Sequence, residues 1–251
     1  MRKPLQGVTN IVRFNWPFYA LAVTALAGAG LVSIFSEGSL RSWASILTIC
    51  VAVPVVVSLL ISAYVYDLSG LYDLHWLDDI PLKTDGSFAN INAGFDETTS
   101  LLRLRYPSAQ VAAYDFYDPT RHTEPSIRRA RLAYPAAPDV VTITTAHIPA
   151  QDDSLDAIFL VFAAHEIRDA GERERFFGEC LRVLRPGGYV IVLEHLRDTA
   201  NFAAYNIGFF HFLPLRSWLS AFQVTGFTLT RQQRINPFVT VFKLMKNGNT
   251  L

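Results

Sequence analysis

Two short stretches of the chain, HEIRD (165–169) and EHLRD (194–198), set a histidine beside a glutamate. Imidazole titrates near neutral pH and carboxylates are ionised there. Brought together in a cleft, such groups can move protons, hold a divalent ion, or lock into a polar network with neighbouring arginines, here Arg168 and Arg197. Residue types alone leave all three uses open. Neither stretch has the His-Glu-x-x-His spacing of a tight metal site, so no bound metal is expected. Five of the six histidines, His122, His147, His165, His195 and His211, fall at or just after segments that read as strand ends, and His75 stands apart. The candidate proton-handling groups are His165, Glu194 and His195.

These groups need a scaffold, and residues 84–251 supply the pattern of one. FANINAG (88–94), VAAYDFYD (111–118), VVTITTA (140–146), LDAIFLVFAA (155–164) and YVIVLEHL (189–196) read as five strands. The fourth is almost continuously apolar, as a strand covered on both faces would be. Between them lie helical patterns at 96–106, with Asp96 as the N-cap, at 126–134 and at 171–184. Arg-Pro-Gly-Gly (185–188) reads as a turn, residues 199–223 as an aromatic-rich helix, and FTLTRQQRI with FVTVFKLMK as a closing strand pair. Alternating strands and helices imply a mostly parallel sheet with right-handed crossovers and an antiparallel last strand. Ligands of such sheets bind outside the carboxyl ends of the strands. The polar residues there are Asn90, Asn92, Asp115, Asp118, His147, His165, Glu166, Glu194 and His195.

The order of a glycine-bearing loop, an acid after the second strand, HIPAQDDSLDAIF (147–159) and ECLRVLRPGGYVIVLE (179–194) resembles a class I S-adenosylmethionine-dependent methyltransferase of the small-molecule, quinone-biosynthesis-like type. The resemblance covers about residues 85–245. It implies an α/β, Rossmann-like methyltransferase sheet and S-adenosylmethionine as cofactor. Within it, Gly94 serves a close backbone approach and Asp115 the ribose hydroxyls, because a carboxylate accepts two donors at once. Phe116 is expected over the adenine face, with Asn90, Asn92 and His147 also at the cofactor. The loop departs from the family's acid-x-Gly-x-Gly-x-Gly: only Gly94 is glycine, and Asn92 is expected to take a left-handed conformation where a glycine usually sits. In the same family the segment after the fifth strand often caps the substrate pocket. Here NFAAYNIGFFHFLP (201–214) offers aromatic walls, with Tyr205, Asn206 and His211 as substrate contacts.

The front of the chain is different. Residues 17–35 and 43–66 carry no charge, and each is long enough to span a bilayer, which needs about 20 apolar residues. The expectation is a two-span hairpin over residues 1–66, an interfacial linker over 67–83 and the methyltransferase-like domain over 84–251. A cleaved signal peptide and buried soluble helices are the competing readings. Arg2, Lys3 and Arg13 precede the first span and the basic residues follow the second, which puts the N-terminus and the large domain on the cytoplasmic side of an integral membrane protein. Lys+Arg and Asp+Glu are both 22, which argues against a nucleic-acid partner. Two cysteines, Cys50 and Cys180, make neither a disulfide framework nor a zinc scaffold. A membrane tether and an aromatic pocket together predict a methyltransferase for a lipophilic small molecule. A methyltransferase fold that has become a binding or scaffolding module is the alternative, and a dinucleotide oxidoreductase lacks its Gly-x-Gly-x-x-Gly. Oligomeric state has no signature in the sequence.

Overall fold

The computed structural model describes residues 2–248. After a short helix α1 (Gln6–Phe14), two long helices, α2 (Trp16–Phe35) and α3 (Gly38–Ala63), form a hairpin joined by residues 36–37. Neither carries a polar stripe, and both are long and apolar enough to cross a membrane. Their large side chains are uncovered, Leu21, Ile34 and Phe35 among them, and Pro54 lies inside α3.

The rest of the chain is built on seven strands: β1 (Ser87–Asn92), β2 (Gln110–Asp115), β3 (Val140–Thr142), β4 (Leu155–Val161), β5 (Leu184–His195), β6 (Thr228–Asn236) and β7 (Val239–Met245). Their order is β3-β2-β1-β4-β5-β7-β6. The pairs from β3 to β5 are parallel, and β7 runs antiparallel to both β5 and β6. This is the expected Rossmann-like methyltransferase sheet. The switch in strand order falls at β1, between β2 and β4, so the tips of β1 and β4 form the crevice.

One sheet face is covered by α6 (Ala170–Val183) and α8 (Leu215–Val224), through Phe176, Phe177, Trp218 and Phe222. The other face is covered by α4 (Thr99–Arg105) and by residues 65–80. Val65, Leu71, Leu74, Trp76, Leu77 and Ile80 are buried there against Phe88, Phe159 and Ile191. Residues 67–83 therefore act as a wall of the sheet rather than as a surface linker. Their leucines and tryptophan bury apolar area that a free linker would leave in water.

Several local expectations shift. Helix α4 begins at Thr99, not 96, and Asp96 sits ahead of it accepting from the Thr98 and Thr99 amides. Strand β3 stops at Thr142. Residues 185–188 belong to β5, where Gly187 and Gly188 pair with Lys246, just past the end of β7. The helix expected at 199–223 is broken: α7 (Thr199–Tyr205) ends at Asn206, whose φ is +50°, and α8 starts after Pro214.

Candidate functional site

A cavity of about 890 Å³ lies over the tips of β1, β4 and β5. Its floor is Asn90, Asn92, Val161, Phe162 and His195; its roof is α1 with the domain-proximal ends of the hairpin, Phe18 and Tyr19 of α2 and Pro54, Val55 and Ser58 of α3. Residues 205–212 and the start of α5 (Pro125–Ala133) close one side.

The roof is fastened by specific contacts. Asp67 accepts from the amides of Gly7 and Val8 at 2.7 and 2.9 Å, supplying the cap that α1 lacks in its own sequence. A Cβ at Gly7 would lie 2.3 Å from the Cβ of Tyr66, so only glycine allows this approach. Arg129 donates to the carbonyl of Phe14, and Tyr134 donates to Asn10 Oδ1 at 2.8 Å. That bond fixes the amide of Asn10 with its Nδ2 buried, unpartnered and at the cavity wall. The hydroxyl of Tyr205 is a second buried polar atom of the wall without a partner. Beyond the sequence-selected residues, the site takes Asn10, Tyr66, Tyr72 and Glu97, which accepts from Tyr72 at 2.7 Å. No local pattern marks them, because α1 and the end of the hairpin reach the strand tips only through the tertiary fold.

His195 closes β5. Its Nε2 accepts from Tyr66 Oη at 2.8 Å, and its Nδ1 donates to the carbonyl of Phe238 at 2.9 Å. Phe162 and Phe212 stack on its two faces, with centroids 5.0 and 4.8 Å away. Burial lowers its pKa to about 4, so the ring is neutral at physiological pH. Phe162 holds φ at +49°, a conformation rare for a bulky residue, to make that stack. His195 thus clamps Tyr66 to the sheet, and any proton it takes passes through the tyrosine hydroxyl.

The second group is a chain of acids and imidazoles. Glu194, wholly buried, accepts from the backbone amide of His165 at 3.2 Å and from His165 Nδ1 at 2.7 Å. His165 Nε2 lies 3.4 Å from Glu166 Oε1, and His211 Nε2 lies 3.2 Å from the same oxygen. Burial works against protonation of His165, but the Glu194 and Glu166 carboxylates outweigh it and raise its pKa to about 10. Burial likewise opposes ionisation of Glu166, and the two histidines hold it well below the usual carboxylate range. His211 is lowered by burial. The pairing expected between the two His-Glu stretches is present, and Arg168 lies against the His211 ring and carbonyl. Arg197 instead donates to the carbonyls of Phe210 and Phe212, which holds the 206–212 segment in place.

The strand-tip residues are placed as follows. Gly94 carries the left-handed conformation, with φ +97°, and a Cβ there would meet the Tyr117 ring at 3.0 Å. Asn92 ends β1 in the strand; its amide bonds Tyr114 and Gly94 in place of the expected left-handed turn. Asn90 donates to Asp96 and Thr99 and accepts from Thr98, so its side chain shapes the loop. Asp115 ends β2, accepts from the Tyr117 amide at 2.9 Å and pairs with Arg131. Phe116 is not at an adenine face. Side chains alternate along the backbone, and one residue past Asp115 the ring turns into the core against Phe176 and His122. His147 is exposed beside Glu179 and does not line this cavity. Tyr205, Asn206 and His211 all line the cavity.

Residues 90–192 match the family profile described as a methyltransferase domain. Among solved structures, the sheet domain is similar to a SAM-dependent methyltransferase from Aquifex aeolicus, at 16% identity over 77% of this chain and 98% of that one, with a TM-score of 0.50. It is similar to a SAM-dependent methyltransferase from Methanosarcina mazei, at 16% identity over 69% and 98%, with a TM-score of 0.51. It is also similar to geranyl diphosphate C-methyltransferase from Streptomyces coelicolor, crystallised with Mg²⁺, geranyl diphosphate and S-adenosyl-L-homocysteine, at 11% identity over 71% and 79%, with a TM-score of 0.51. None of the curated proteins compared matches the sequence.

The profile match supports S-adenosylmethionine as the cofactor, and these neighbours share the fold of the sheet domain. The residues present fit it. A cavity of about 890 Å³ at the strand switch is of the size small-molecule sites use, roughly 300–1,000 Å³. It has buried donors without partners at Asn10 and Tyr205, while the glycine turn after β1 and the Asp115 carboxylate at the tip of β2 line a smaller cavity of about 390 Å³ that shares Asn92 with it, and the arginine paired with Asp115 is partly exposed.

Proposed function

We propose that the protein is a membrane-anchored, S-adenosylmethionine-dependent methyltransferase that acts on a lipophilic small molecule. The observation that carries the reading is the position of the cavity, which joins the strand tips to the apolar ends of the hairpin helices. In a bilayer, with the hairpin spanning and the N-terminus and large domain on the cytoplasmic side, Phe18, Tyr19, Val55 and Ser58 face the leaflet nearest the domain. An acceptor can then keep its apolar body among them while its reacting end reaches His165 and Tyr66.

The bound cofactor supplies an electrophilic methyl group. The chain's own part is to align the two reactants and keep water out, which for a bimolecular transfer is the larger share of catalysis. Asn92, Gly94 and Asp115 frame the cofactor, with Asn90 shaping their loop. Tyr205, Asn206 and His211 take the acceptor side. His165, oriented by Glu194, holds a proton at Nε2 within the cavity, and His195 serves through Tyr66. The occupied Asn90 and the Asp115–Arg131 pair favour the alternative of a binding or scaffolding module without turnover.

The test is calorimetric titration of S-adenosylmethionine and S-adenosylhomocysteine into the detergent-solubilised protein, followed by transfer of labelled methyl to membrane lipid extracts. Micromolar binding, weakened about 10-fold or more in Asp115→Ala, is expected, because a hydrogen bond to a charged group is worth about 1.5–3 kcal/mol. Absence of binding at millimolar cofactor would refute the enzyme and leave the module.

A further inference from the structure

The cavity contains one constellation that methyl transfer does not require. His165 Nε2 and His211 Nε2 converge on one oxygen of Glu166, at 3.4 and 3.2 Å. One donor atom from each of these residues can be chosen so that all lie within 4.8 Å of one another. The two histidines meet edge to face, with centroids 4.9 Å apart. Each also has a carboxylate behind its other nitrogen: Glu194 at 2.7 Å from His165 Nδ1, and Glu124 at 3.8 Å from His211 Nδ1.

We propose that His165, Glu166 and His211 form a binding site for one divalent transition-metal ion inside the cavity. Three features carry it. The two separations to Glu166, 3.4 and 3.2 Å, match the edges of a coordination shell, about 3.0–3.4 Å for octahedral to tetrahedral geometry with bonds of about 2.1 Å, and the two imidazole nitrogens lie within 4.8 Å, close enough to draw in on an ion. Two imidazoles and one carboxylate on one side of an ion leave open positions on the other, the arrangement that suits iron, zinc or manganese. The Glu194 carboxylate at the far nitrogen of His165 fixes that ring's orientation and tautomer, as a metal-bound histidine requires, and Glu124 stands 3.8 Å from the far nitrogen of His211, beyond hydrogen-bond range. The charges also fit, because three carboxylates surround two imidazoles, with Arg168 as a cationic side-chain neighbour of fixed charge. Arg168 lies against the His211 ring and must turn outward when the ion binds, which its exposed position allows. The open positions face the cavity and take an oxygen donor, a hydroxylate, enolate or phosphate. That last step rests on the methyltransferase reading above, whereas binding of the ion does not.

The experiment uses the full chain without a polyhistidine tag, stripped with chelator in detergent and titrated with Zn²⁺ or Co²⁺ in the absence of S-adenosylmethionine. One equivalent should bind at micromolar dissociation constant or tighter, with Co²⁺ giving visible bands of a low-coordinate nitrogen and oxygen site. His211→Ala, on a partly exposed segment and checked for an unchanged melting temperature, should weaken binding at least 100-fold. Glu194→Gln should weaken it about 10–100-fold through the ring it orients. His75→Ala, remote and exposed, should bind as the parent does. No stoichiometric binding, or binding undiminished in His211→Ala, would overturn the site. Neither result bears on cofactor binding, which is measured separately, so the failure of the metal site and the failure of the methyltransferase reading are distinguishable.

Discussion

His195 should make the protein sensitive to mild acid. In the fold the ring is buried, sandwiched between Phe162 and Phe212, donating at Nδ1 and accepting at Nε2. A proton on Nε2 would break the bond from Tyr66 and place a charge among apolar rings. His165 nearby disfavours that charge further, and Asp198 offsets it only in part. Burial and these neighbours hold the pKa at about 4, against 6.5 for an ordinary histidine. The unfolded chain takes the proton below about pH 6.5 and the folded chain does not. Stability from the neutral ring is therefore complete above that pH and is lost as pH falls towards 4. At about 1.36 kcal/mol per unit, the full loss is roughly 3 kcal/mol, and about 2 kcal/mol has gone by pH 5. The assay is urea unfolding in detergent micelles at pH 7.5 and 5.0, read by fluorescence of the buried Trp76 and Trp218. His195→Gln keeps a donor and an acceptor but cannot titrate. It should be less stable than the parent at pH 7.5 and lose about 2 kcal/mol less on going to pH 5.0. Equal losses in the two proteins would refute the burial argument, since the two chains differ at this one position.

Gly7→Ala puts a Cβ against Tyr66 and should cost about 1–3 kcal/mol by the rules of overpacking, read as a lower melting temperature. Asn10→Ala removes a donor that has no partner in the free protein, so ligand affinity should fall several-fold, by about 0.5–1.5 kcal/mol, with a smaller change in stability; an unchanged affinity in calorimetry would take Asn10 out of the site. Deleting residues 1–63 should release the domain from membranes in fractionation, because Val65, Leu71, Leu74, Trp76, Leu77 and Ile80 are buried against the sheet; continued partitioning would show a second anchor.

The parts of the fold that were legible are those whose cause is local. LDAIFLV reads as a strand covered on both faces because every residue from Leu155 to Leu160 is buried. The acid–imidazole pairing was legible because strands β4 and β5 are neighbours and parallel, so residues just past their ends must meet. What was not legible has its cause at a distance. Residues 67–83 mix acids with leucine and tryptophan, as a membrane-surface segment does, and only the uncovered face of the sheet shows where those side chains go. Phe116 was misplaced by one step of the strand's alternation. Asn10 and Tyr66 belong to no motif, since a site wall is defined by what faces the cavity and not by spacing along the chain. The consequence for function is specific. Tyr66 sits at the end of the hairpin and is held by His195 at the end of β5, while Asp67 caps the helix that roofs the cavity. Hairpin and site therefore share residues, and if the hairpin sits in a bilayer as proposed, a change in its tilt would pull on the cavity wall through Tyr66 and Asp67.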